Sequence, residues 1–176
     1  MSPTKRASAS GDDLFLIVEL GSKSCAFSAC DVVETMRPLD AEPLPDMPQY
    51  MLGIAVIRGL PTPVVDLSWL LGDAKTQTAS RYVSIRVEGD RIVALAVPTV
   101  PKLRSLASAE LTDLPPLFGH ADEERIARLG KLDEKLLLVL NKGALLSPEF
   151  WQEDDDTDDT EDTADSETPE RQGDPG

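Results

Sequence analysis

Few side chains in this chain have the chemistry to catalyse. The single histidine, His120, lies in the segment Phe118-Gly119-His120-Ala121-Asp122. No Gly-x-Ser-x-Gly turn, glycine-rich phosphate loop or metal-spaced cluster accompanies it, so it reads as a loop histidine and not a general base. Cys25 and Cys30 stand five apart, with no second pair and no neighbouring histidine. That is no zinc pattern, and both read as small strand residues with reduced thiols. The charge that stands out is Arg58. It ends the apolar run Met51-Leu52-Gly53-Ile54-Ala55-Val56-Ile57 and opens an Arg58-Gly59 corner. A guanidinium at that place needs an acceptor, because desolvating it without a partner is unfavourable. Its planar fork of donors fits a carboxylate, so the chemistry it offers is recognition.

The elements that position Arg58 follow from the pattern around it. Met51 to Ile57 and Pro63 to Leu67 read as two short strands buried on both faces, joined through the Arg58-Gly59 and Leu60-Pro61 corner. A short helix then runs to Gly72, and Asp66 is placed to cap it. Gly53 and Gly59 read as backbone requirements, a close approach and a turn. Upstream, Leu14 to Leu20 and Lys23 to Ala29 form a hairpin about Gly21-Ser22. Asp31 is placed to cap a helix or turn over Val32 to Met36. Residues 38–48 hold four prolines and must be an extended loop.

Downstream, Arg81 to Glu88 and Arg91 to Val97 pair about Gly89-Asp90, and Val100 to Leu106 adds a strand. A Pro115-Pro116 connection leads to Ile126 to Lys131 and Lys135 to Asn141, the last apolar enough to be central. Lys142 to Leu146 is a short helix. Many short strands with turn signals every ten or so residues make the chain all-β and barrel-like.

The 176 residues hold 41% apolar side chains, enough for a core. The formal charge of −15 is unevenly spread: residues 152–176 carry 12 of the 32 acidic residues and one of the 17 basic ones, a net −11 that leaves −4 for residues 1–151. No basic patch survives that count, so nucleic acid is not an expected partner. The apolar run at Leu14 to Val18 is too short for a secretory or membrane segment, and a cytoplasmic protein without membrane insertion is expected. Residues 1–13 read as a flexible arm, 14–151 as the folded body, and 152–176 as a disordered acidic tail that either solubilises or meets a basic surface.

The run Arg58-Gly59-x-x-x-Pro63-Val64-x-Asp66-Leu67 resembles the signature of the CheW-like chemotaxis coupling proteins. The order of features extends the resemblance over about 14–147. Val32-Val33-Glu34 stands where the family has its V-x-E element, followed by the proline loop, Gly53, Arg58-Gly59 and the Pro63 to Leu67 element. Arg91 to Val97 and the Leu129-Gly130-Lys131-Leu132 and Leu136 to Leu140 pair resemble its later strands. Departures occur at Val56 (often asparagine), Ala94 (commonly glycine), Pro98 (commonly aspartate) and the two prolines of 98–104.

The resemblance implies two intertwined five-stranded β-barrels with short helices, and an adaptor without catalytic residues, cofactor or metal. It implies two partners, the cytoplasmic tip of chemoreceptors and the regulatory domain of a chemotaxis histidine kinase, with recruitment to membrane-associated receptor arrays. It also supplies Glu34 as the carboxylate for Arg58. That pair is either purely structural or part of the docking surface, with Val32, Gly53 and Gly59 completing the partner-binding set. Val32 and Leu52 are expected to offer apolar surface, and a side chain at Gly53 to block docking. Two other readings stay open: an adaptor of a pilus-motility or other non-flagellar pathway, and a generic β-barrel interaction module.

Overall fold

The computed structural model describes residues 13–114 and 125–146. Residues 1–12 of the N-terminal arm, the Pro115-Pro116 connection, His120 and the acidic tail lie outside the described residues, and Asp13 opens the first strand. Within them run eleven strands: β1 (Asp13–Leu20), β2 (Lys23–Ser28), β3 (Val32–Met36), β4 (Met51–Ile57), β5 (Leu60–Asp66), β6 (Arg81–Arg86), β7 (Ile92–Val97), β8 (Lys102–Leu106), β9 (Leu111–Asp113), β10 (Ile126–Leu132) and β11 (Lys135–Leu140). One helical turn, α1 (Leu67–Leu70), and short 3-10 turns join them.

The strands form two curled sheets. One has six strands in the order β8-β1-β2-β11-β10-β9, and the other five in the order β3-β6-β7-β5-β4. The chain makes β1 and β2, leaves to complete the second sheet, and returns with β8 to β11, so the sheets are interleaved in sequence. Each is built on the same plan. A hairpin (β1–β2 or β6–β7) lies parallel to the second strand of another hairpin (β10–β11 or β4–β5), through the β2–β11 and β5–β7 contacts.

Side-chain alternation fills each sheet. Phe15, Ile17, Ala26, Leu106, Leu111, Leu137 and Val139 make the first core. Ala55, Ile57, Val64, Tyr82, Ala94 and Ala96 make the second, with Met36, Ala41 and Leu52 packed against it. Pro61 and Pro63 sit in β5 at no loss to β7, because that ladder begins only at Val64.

Two expectations are corrected. Val32 to Met36 is a strand and not a capped helix: its β-branched Val32, Val33 and Thr35 pair with β6, and Asp31 binds Lys142 instead, Nζ to Oδ1 at 2.5 Å. β4 is an edge strand buried on one face, with Val56 and Leu60 at 66% and 62% exposure flanking the turn. The six-stranded sheet also gains β9, a three-residue strand on β10.

The Asp66 cap is present and does more than end a strand. Its fully buried carboxylate accepts from Trp69 N at 3.1 Å, Thr76 N at 2.7 Å and Thr76 Oγ1 at 3.0 Å. It thereby ties α1 and the following loop to the end of β5. Asp66→Ala orphans these donors in the interior and should cost about 3 kcal/mol or more in chemical denaturation, with Asp66→Asn between the two. An Asp66→Ala midpoint equal to that of the unmodified protein would contradict this role.

Candidate functional site

Arg58 and Glu34 meet. Arg58 Nε donates to Glu34 Oε1 at 2.6 Å, and Nη2 donates to Oε2 at 2.8 Å, a two-pronged ion pair. Glu34 lies on β3 and Arg58 in the turn leading out of β4, the strands at opposite edges of the five-stranded sheet. The sheet's curl brings its two ends together, and the pair bridges the seam.

Local backbone chemistry prepares this contact. Arg58 (φ +52°) and Gly59 (φ +82°) both sit in the left-handed region, the pattern of the two-residue hairpin turns whose twist matches that of the strands. A Cβ at Gly59 meets nothing within 4 Å, so its glycine answers to backbone conformation alone. Both edge strands carry a register shift, between Val32 and Glu34 on β3 and between Met51 and Gly53 on β4. Such bulges sharpen twist at a sheet edge. At Gly53 (φ +141°) a Cβ would run into the carbonyl of Glu42. There the proline loop bonds to β4 in both directions, Glu42 N to Ile54 O and Ile54 N to Glu42 O, each at 2.9 Å. What excludes a side chain at Gly53 is therefore the chain's own loop.

The pair is a surface feature, with side-chain exposure of 76% for Arg58 and 23% for Glu34. The expectation of a buried guanidinium gives way to a solvated one, which salt screens and whose worth lies in geometry more than in stability. The hydrogen bonds from Arg58 hold the Glu34 carboxyl below the ordinary glutamate range, and Glu34 raises Arg58 in turn.

Exposed apolar side chains lie beside the pair: Leu60 and Val33 (40% exposed) border the same cavity as Glu34 and Arg58. Val32 and Leu52, expected to offer this surface, are half-buried, and Leu52 packs on the second core. The bulge turns Val33 outward in place of Val32. Beside the pair a cavity of about 260 Å³ is lined by Val33, Ile57, Leu60, Pro61, Ile92 and Ser84, along with Glu34, Arg58, Thr62 and Asp90. The sequence carried no mark of Ser84 or Ile92 as neighbours of Arg58.

The cysteines stand apart from this site. Burial pushes the Cys25 thiol up to about 12, leaving it protonated and unreactive. Cys30 is exposed, its Sγ 2.9 Å from Ser28 Oγ. Among the described residues no group of three metal-ligating side chains converges, and no helix is long and apolar enough to cross a membrane.

Two interleaved, curled sheets with an ion-paired seam define an all-β protein of the double-sheet type. The chain belongs to the CheW-like domain family, whose model matches residues 14–149. A probable chemotaxis protein CheW from Rhizobium etli is 23% identical over 138 residues, covering 78% of this chain and 89% of the relative. The chemotaxis protein CheW of Klebsiella aerogenes is 25% identical, covering 77% and 82%. Protein FrzA of Myxococcus xanthus is 29% identical, covering 68% and 75%. Among solved structures, the scaffolding protein TtCheW from Thermoanaerobacter tengcongensis aligns with a TM-score of 0.69 at 19% identity, over 82% of this chain and 94% of that one.

Two outcomes test the site's construction. Because Glu34 is held low, the stabilisation from the pair is fully present above the ordinary glutamate pKa and is lost as pH falls through the lower folded value. The Glu34 carboxyl should titrate below a free glutamate by NMR and move up in Arg58→Ala; equal midpoints in the two proteins would rule the pair out in solution. Gly53→Ala should destabilise the fold by ~1 kcal/mol or more by forcing Glu42 off β4, read from thermal or denaturant melts, and an unchanged melt would contradict the close approach.

Proposed function

We propose that this protein is a non-catalytic adaptor that couples chemoreceptors to a chemotaxis histidine kinase, and that the seam at Glu34 and Arg58 is a docking surface. The observation that carries the reading is the solvent-exposed, two-pronged pair set beside Val33 and Leu60 on a CheW-like scaffold. An ordered arginine beside apolar surface is the composition of a binding hot spot. A pair that adds little to stability in water gains strength once a partner excludes solvent. Gly53 and Gly59 serve the surface indirectly, by setting the loop and the turn, and Val32 by anchoring the bulge that presents Val33.

The partners in this reading are the helical tip of a receptor and the kinase's regulatory domain, met in the cytoplasm at membrane-associated arrays. No cofactor, metal or nucleic acid takes part. A second version, an adaptor of a pilus-motility or other non-flagellar pathway, is favoured by one observation, the likeness to a relative named Protein FrzA.

Binding of the purified protein to receptor tips and kinase regulatory domains from the same genome tests the reading. Arg58→Ala should fold with an unchanged circular dichroism spectrum and lose affinity for at least one partner by about tenfold or more. Capture of neither partner, or full affinity in a folded Arg58→Ala protein, would remove the seam from the docking surface.

A further inference from the structure

The cavity beside the ion pair contains a polar group with no partner. Ser84, on β6 across from Glu34, is 1% exposed and lines the cavity wall, yet its Oγ has no hydrogen-bond partner among the described residues. Buried hydroxyls are rarely left so, and one that is demands a reason. Neighbouring groups do not compete for it: Thr62 Oγ1 donates to Leu60 O at 3.1 Å, and Asp90 pairs with Arg86 at 3.5 Å.

We infer that this cavity receives one uncharged side chain of the docking partner, with an apolar shaft and a hydrogen-bonding tip that pairs with Ser84 Oγ. The inference rests on the docking reading above and names the chemistry the partner must bring. Size points to a side chain, since about 260 Å³ falls below the ~300–1,000 Å³ of a small-molecule site. The walls are apolar, formed by Ile57, Leu60, Pro61, Ile92 and Val33. Charge complementarity excludes an ionised occupant. Glu34 and Arg58 already neutralise each other and Asp90 is paired, so a buried ammonium or carboxylate would find no free counter-charge. A wholly apolar occupant would leave the Ser84 hydroxyl, already shielded from water, still without a bond. A tyrosine, glutamine or asparagine side chain satisfies walls and floor together. The cavity is also continuous with the docking patch, because Val33, Leu60, Glu34 and Arg58 border both.

Ser84→Val and Ser84→Ala test this directly, since each removes the hydroxyl and folding should not suffer. Valine at 84 should leave the melting temperature equal or higher while lowering partner affinity by about tenfold. In methyl NMR, p-cresol should perturb Ile57, Leu60 and Ile92 of the unmodified protein, and the effect should weaken severalfold in Ser84→Ala. Toluene should bind both proteins alike, and p-toluate should bind neither. If Ser84→Val and Ser84→Ala bind the partner fully while Arg58→Ala does not, the docking surface stands and this inference fails. If none of the three substitutions lowers affinity, both fail. Equal p-cresol binding with and without the hydroxyl also overturns it.

Discussion

The pair between Glu34 and Arg58 joins the two ends of a curled sheet. β3 and β4 are the free edges of the five-strand order β3-β6-β7-β5-β4, and free edges invite unwanted pairing. Here each edge is bent by a register shift, and β4 is further covered where Glu42 bonds to Ile54 in both directions. Curl brings the carboxylate on one edge within reach of the guanidinium at the other. The cavity is bordered by residues of both ends, Val33 and Glu34 from β3 and Ile57, Arg58 and Leu60 from the β4–β5 hairpin. Energetically the pair is a modest surface interaction. Its consequence is geometric, since it ties β3, which carries Val33, to the β4–β5 turn beside Leu60.

The six-stranded sheet is managed differently. Glu19 on β1 takes Lys102 Nζ at 3.2 Å from β8 and Lys135 Nζ at 3.4 Å from β11. The hydrogen bond from Lys102, followed by its charge and then the contact from Lys135, holds the Glu19 carboxyl low. In that sheet Glu19 lies between the strands that carry its two lysines, and Arg104 on β8 reaches Asp133, in the β10–β11 turn, at 3.4 Å. Between the sheets, Lys23 Nζ reaches Leu71 O at 2.9 Å and Asp73 at 3.2 Å, tying β2 to the end of α1. Buried Asp66 holds the other end of the same segment. The shared plan of two hairpins in parallel contact therefore supports two sheets with different surfaces, and the two-pronged arginine pair belongs to the five-stranded one.

Much of this architecture could be read from the residues. β1, β6, β7 and β11 stood out because their apolar runs are long enough to specify a buried face. Asp66 stood out because an acid directly before a short apolar helix is a cap. Val32 to Met36 was misread because Asp31 offers a capping signal, while the β-branched residues after it are drawn into the ladder with β6. β4 was misread because hydrophobic composition does not say which face a partner strand covers, and Val56 is apolar yet solvated. β9 has too few residues for a pattern. The carboxylate for Arg58 came from family order and not from spacing, since the two residues lie 24 apart and meet only through sheet curl. Val33 and Ser84 were invisible for related reasons: a bulge reverses the alternation at one, and the other's missing hydrogen bond is a property of the packed fold.

The surface around Arg58 has a defined shape, and that shape depends on keeping the seam closed. Amide hydrogen exchange at neutral pH, compared between the unmodified protein and Arg58→Ala, measures this most directly. If the pair holds the seam, amides of β3 and of the β4–β5 turn exchange faster in the variant while those of β6 and β7 stay unchanged. Identical exchange on both edge strands would show that the sheet closes without the pair, and would contradict its central place in the fold.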